Sequence, residues 1–156
     1  MKNTIYNNAP VMSESVSEYK LTKVKSDFQR VLITSSKDGA NFIRQFYSDD
    51  IGIFESSFIL LLDRSNHTIG YAKISQGGIV GTVVDVRLIA KYAIDSFASS
   101  VILAHNHPSG NLKPSESDEK ITQQVLQGLK LLEVKLLDHV ILTETNYYSF
   151  ADNGKI

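Results

Sequence analysis

The chain of 156 residues sets 16 basic against 17 acidic side chains, a net charge of −1, with 42% apolar and 21% charged residues. That is the composition of one globular domain with room for a real core, and it lacks the basic excess of a protein built to grip nucleic acid. With no cysteine in the chain, disulfide scaffolds, thiolate metal sites and cysteine nucleophiles are excluded, and a reducing compartment is the natural expectation.

Residues 1–16 are polar and aperiodic and read as a flexible N-terminal arm, leaving 17–156 as a single domain. The first residues carry no apolar core of a signal peptide, and no window holds 18 uninterrupted apolar residues, so a cytoplasmic protein without a membrane span is expected. "SEYKLTKVKS" (17–26) alternates polar with apolar residues, the pattern of an edge strand whose lysines face water rather than nucleic acid. Residues 35–50 read as a helix capped by Ser36 or Asp38, with Phe42, Ile43 and Phe46 as its apolar stripe. Residues 55–78 hold two strand-like runs around the turn "DRSN", a hairpin with His67 at its end, and 81–85 suggests a further short strand.

Leu88, Ile89, Tyr92, Ala93 and Phe97 then recur at helical spacing over 86–99, and "SVILAH" (100–105) is a short apolar strand. Residues 114–133 form the strongest helical pattern, with Ile121, Val125, Leu129 and Leu132 on one face. Residues 134–143 and 147–154 close the chain as a strand and a short strand plus turn. Alternating helices and strands with short connections predict an α/β sheet covered by helices.

The chemistry concentrates in "LAHNHPSG" (103–110). Residues i and i+2 of a strand point to the same face, so His105 and His107 can converge on one point. Pro108 biases His107 toward an extended backbone. If the next helix starts near Ser115, Asp118 lies in its first turn, and two histidines plus one carboxylate make a three-ligand site with an open position. Catalytic zinc has that arrangement, and it brings the pKa of a bound water toward about 7. Glu55, opening the strand "FILLL", is the candidate general base, with Asp49 and Asp50 as rivals at a helix end. Ser115 is the candidate oxyanion donor, although Ser115-x-x-Asp118 is equally a capping box.

Glu55, then His105-x-His107, seven residues, Ser115, two residues and Asp118 resembles the JAMM motif of JAB/MPN metalloproteases. The longer string "HNHPSG…PS…D", with "LLDH" and "YYSF" downstream, resembles the bacterial RadC family within that group, in a short form without the N-terminal helix-hairpin-helix segment of longer relatives. The resemblance covers roughly residues 20–156. It implies a mixed β-sheet flanked by helices in a cytidine-deaminase-like α-β-α sandwich, and one Zn2+ per chain held by His105, His107 and Asp118. Glu55 would be the general acid/base and Ser115 the oxyanion stabiliser in hydrolysis of a peptide or isopeptide bond, with a link to DNA repair.

The alternatives differ in class. A nucleoside deaminase of the same fold needs a P-C-x-x-C pattern, which a chain without cysteine cannot supply. Two histidines and a carboxylate also describe the facial triad of iron(II) oxygenases. A non-catalytic DNA-repair or mobile-element accessory protein would bind a partner or DNA through the same fold, although the net charge argues against direct DNA contact. The substrate is an unknown peptide or protein, and exposed strand edges would accommodate a homodimer. Asp138-His139 reads as structural or as a support behind the ligands, and Asp85 and Arg87 as an ion pair or part of the site.

Overall fold

The computed structural model describes residue 18 and residues 22–47, 49–77 and 83–156. Three helices and five strands follow in the order α1 (Ser36–Arg44), β1 (Ser56–Leu62), β2 (Thr68–Gln76), α2 (Val86–Asp95), β3 (Ser100–Asn106), α3 (Glu116–Lys130), β4 (Lys135–Leu142) and β5 (Tyr147–Ser149). The strands form one mixed sheet in the order β2-β1-β3-β4-β5. β1 runs antiparallel to both β2 and β3, β4 antiparallel to β5, and only β3 and β4 are parallel. α3 is the crossover that a parallel pair requires. This is the expected α/β architecture.

β1 and β3 are buried along their whole length, which is why they read as continuous apolar runs. Their side chains alternate between two cores. Ile59, Leu61, Val101 and Leu103 pack beneath α2 and α3 with Ile89, Ala93, Val125 and Leu129. Phe58, Leu60, Ile102 and Ala104 pack beneath α1 with Ala40 and Ile43. Helices therefore cover both faces, and the α2/α3 face carries the His105 side chain. Among the described residues no helix is long and apolar enough to cross a membrane.

Several local expectations are revised. Ser35, not Ser36 or Asp38, caps α1: it is extended (φ −151°, ψ 163°) and its hydroxyl accepts from Asp38 N. Asp38 turns back instead to accept from Thr34 N and Oγ1. Residues 22–26 form no strand, and the rest of the expected edge strand at 17–26 lies outside the described residues apart from Glu18, as does the arm at 1–16. Of the strand expected at 81–85, Val83–Asp85 forms no strand, and Asp85, itself extended, caps α2 with its side chain accepting from Arg87 N. Gly81 and Thr82 lie outside the described residues.

α2 stops at Asp95 rather than continuing to 99. Phe97 takes a left-handed φ of 56° just beyond the cap and is 91% exposed, so it belongs to no buried stripe, and Leu88 also faces outward. Leu132 likewise lies past the end of α3, in a turn closed by Glu133 at φ 56°, and is 40% exposed. The β1–β2 hairpin is as expected, with Asp63 organising the turn: its Oδ1 accepts from Ser65 N and His67 N.

Asp138 proves structural. It points to the α1 side, where its carboxylate accepts from Ser149 Oγ (2.7 Å) and Ala151 N (3.0 Å) and so ties the chain end to β4. Burial pushes its carboxyl up, and these hydrogen bonds oppose the shift. Asp138→Ala leaves both donors unpaired in a buried setting and is expected to cost about 2–3 kcal/mol, measured by urea unfolding, with metal binding unaltered.

Candidate metal centre

The centre forms where the C-terminal end of β3 meets the N-terminus of α3. His105 is the penultimate residue of β3, on the same face as Val101 and Leu103, and His107 follows just past the strand end. His107 N donates to Leu142 O (2.8 Å), which continues the β3–β4 pairing by one step. The chain then turns: Gly110 N donates to His107 O (3.0 Å), and Gly110 adopts a left-handed φ of 78° that a side chain would strain. The turn brings Asn111 O within 2.7 Å of His107 Nδ1.

Asp118 is the third residue of α3. Ser115 caps that helix: its Oγ accepts from Asp118 N (3.1 Å), while Asp118 Oδ2 accepts from Ser115 N and Ser115 Oγ (both 2.7 Å). The capping box and the approach of Asp118 to the histidines are thus one arrangement, since the cap anchors Oδ2 and presents the carboxylate edge to the centre.

One donor atom from each of His105, His107 and Asp118 lies within 4.8 Å of the others. His105 Nε2 is 3.0 Å from His107 Nε2 and 3.1 Å from Asp118 Oδ1, and His107 Nε2 is 3.5 Å from Asp118 Oδ2. Donor atoms held about 2.0 Å from a tetrahedral zinc are about 3.3 Å from one another, so this spacing suits such an ion.

Proton accounting sharpens the fit. Thr122 Oγ1 gives its only proton to the carbonyl of Asp118 (2.5 Å), so it can only accept from His139 Nδ1–H (2.6 Å). His139 Nε2 is then the acceptor for His105 Nδ1–H at 2.8 Å. His107 Nδ1–H is likewise fixed by the carbonyl of Asn111. Both histidines therefore turn an Nε2 lone pair toward a carboxylate, and three acceptors at contact distance could share one cation. Hydrogen bonding to Asp118 outweighs the opposing effect of burial and raises the pKa of His107. Burial pushes the Asp118 carboxyl up, but its close approach to His105 and His107, with the hydrogen bonds from Ser115, holds it well below the carboxylate range.

His139 was one of two readings at the level of sequence, and the structure puts it directly behind His105. It is 1% exposed, stacked on Phe150 at 4.7 Å, and kept neutral by burial, which lowers its pKa well below that of a free imidazole. Thr122, the last member of this relay, drew no attention in the sequence, where it is one polar residue on a helix. Asn106 was missed as well. It is the middle residue of His-x-His, 0% exposed, and points away from the centre. Its Oδ1 accepts from Ser56 N (2.8 Å), and its Nδ2 donates to Ile51 O (2.5 Å) and Phe54 O (2.8 Å), clamping the loop that carries Glu55.

A cavity of about 320 Å3 opens beside the histidines, lined by Glu55, Ser57, His105, Asp118 and His139. Glu55 thus faces the same space as two of the three candidate ligands. Asp49 and Asp50 lie in the turn after α1 and do not line that cavity. Asp85 and Arg87 pair with each other at 2.6 Å on the surface of α2. His67 belongs to the β1–β2 hairpin.

Comparison with known sequences agrees with this geometry. A family profile described as a RadC-like JAB domain matches residues 33–155. The chain belongs to that family. Its relatives include a UPF0758 protein of Flavobacterium johnsoniae, 46% identical over 122 residues, which are 78% of this chain and 52% of that protein. A UPF0758 protein of Porphyromonas gingivalis is 42% identical over 127 residues, 81% of this chain and 55% of its own length. One from Janthinobacterium is 42% identical over 103 residues, 66% and 46% respectively. This RadC-like chain thus spans about half the length of the curated relatives it matches.

Proposed function

We propose that this RadC-like domain is a zinc-dependent hydrolase of the JAMM type, acting on a peptide or isopeptide bond of a protein or peptide substrate in the cytoplasm. The observation that carries the reading is the trio of converging acceptors, His105 Nε2, His107 Nε2 and Asp118, whose histidines have their other nitrogens tied down by His139 and Asn111. Held by these three side chains, zinc would supply Lewis acidity toward a water and the scissile carbonyl.

The remaining work falls to the chain. Glu55, in the same cavity as His105 and Asp118, takes the proton of the attacking water and returns it to the departing amine, so that amide and water become carboxylate and amine. A serine donor facing the developing oxyanion completes the set. Ser115 fills that role only by releasing Asp118 Oδ2, to which its hydroxyl proton now goes.

The test is Glu55→Gln, assayed zinc-loaded against a fluorogenic peptide and isopeptide library. Cleavage by the wild type with a loss of about 10²–10⁴-fold in the variant, at unchanged zinc content, is the expected outcome. Equal cleavage by both proteins would remove Glu55 from the reaction.

A further inference from the structure

Ser57 stands directly across from His105 in the antiparallel ladder between β1 and β3. Residues paired in this way send their side chains to the same face of the sheet, so Ser57 shares the face of His105. Further along β1 that face carries Ile59 and Leu61, packed in the core beneath α2 and α3. At 57 the apolar alternation is broken by a hydroxyl that is 0% exposed. Its Oγ has no hydrogen-bond partner among the described residues, and the side chain lines the cavity shared by Glu55, His105 and Asp118.

An alanine would satisfy the packing at this position. A buried hydroxyl left unpaired weakens the fold, and such local conflicts collect where a ligand supplies the missing partner. The other candidate donor is engaged, since Ser115 Oγ donates to Asp118 Oδ2 and accepts from Asp118 N. Glu55 and Ser57 are also two positions apart, the strand repeat that sends side chains the same way.

We propose that Ser57 is a buried hydrogen-bond donor of the site, its O–H directed at the carbonyl oxygen of a bound amide and at the oxyanion that this oxygen becomes. This rests on the amide-hydrolase reading and adds to it a second chain-borne group beside Glu55. β1 and the residue before it would then carry both the base and the oxyanion donor.

Ser100 provides an internal control. It too is buried, its hydroxyl without a hydrogen-bond partner among the described residues, but it pairs with Leu62 at the opposite end of β3, away from the cavity. The experiment uses the full chain as wild type, Ser57→Ala and Ser100→Ala. It measures zinc uptake, thermal unfolding of the metal-free proteins, and calorimetric binding of methylphosphonate, a tetrahedral oxyanion, to the zinc-loaded ones.

Ser57→Ala is expected to bind zinc like wild type and to unfold at the same temperature or higher, while binding methylphosphonate about tenfold more weakly. Ser100→Ala is expected to leave methylphosphonate affinity unchanged. Unchanged affinity in Ser57→Ala, a lowered unfolding temperature in that variant, or a zinc-loaded wild type that ignores methylphosphonate would each overturn the proposal and leave the zinc site standing. A wild type that takes up no zinc would overturn the hydrolase reading and the proposal with it.

Discussion

Replacing His139 with leucine is expected to weaken zinc binding by about 10–100-fold without touching any of the three candidate ligands. His139 Nε2 accepts the Nδ1 proton of His105 at 2.8 Å, and its own Nδ1 proton goes to Thr122. That relay ends at the backbone carbonyl of Asp118, so it joins two ligands from behind and fixes the tautomer of one of them. Leucine fills most of the ring's volume against Phe150, which limits any loss of packing. It removes the acceptor, however, and His105 becomes free to carry its proton on Nε2, the atom that would bind the metal. Zinc titration against a competing chelator measures the effect. Equal affinity in wild type and His139→Leu would mean that His139 serves only as core.

The second large effect is on the opposite side of the sheet. Asn106→Ala is expected to cost about 2–4 kcal/mol of stability, because the Ser56 amide loses a buried acceptor and the carbonyls of Ile51 and Phe54 lose their donors. At the roughly 2–4 °C per kcal/mol typical of chains this long, thermal unfolding should fall by roughly 5–15 °C. The three hydrogen bonds hold residues 51–56, so Glu55 also loses its fixed position relative to the histidines. Zinc content should survive, because none of the three ligands is on that loop. Asn106→Ala with unaltered unfolding would show that the loop is held by other contacts, such as the 2.9 Å hydrogen bond from the Tyr47 hydroxyl to Ser56 O.

The parts of the centre legible in the sequence are those with local geometry. His105 and His107 follow the two-residue repeat of a strand, and Ser115-x-x-Asp118 follows the spacing of a helix start, so each pair is recognisable wherever its element packs. His139 depends on a parallel pairing that local pattern does not encode. It lies 34 residues from His105 and comes behind it only because β4 aligns with β3 so that Leu103 faces His139.

Asn106 was hidden in a different way. As the spacer between two histidines it seemed to carry nothing, yet the same alternation that points His105 inward points Asn106 to the far face. Serines in strands are common, so Ser57 carries no signal in the sequence; its burial and its lack of a hydrogen-bond partner among the described residues are properties of the fold. The helix ends were misplaced for a further reason. Phe97 and Leu132 extend an apolar rhythm, whereas the backbone leaves the helix at left-handed residues, Phe97 itself and Glu133, neither of which is glycine. Membership of the RadC-like JAB family was legible because its motif joins both local patterns at a fixed separation.

The central claim is that His105, His107 and Asp118 form a metal centre. Elemental mass spectrometry on untagged protein, wild type beside His107→Ala, tests it most directly. About one zinc per chain in the wild type, lost in the variant, is the predicted result. A wild type that stays metal-free after incubation with zinc and removal of the excess would contradict it.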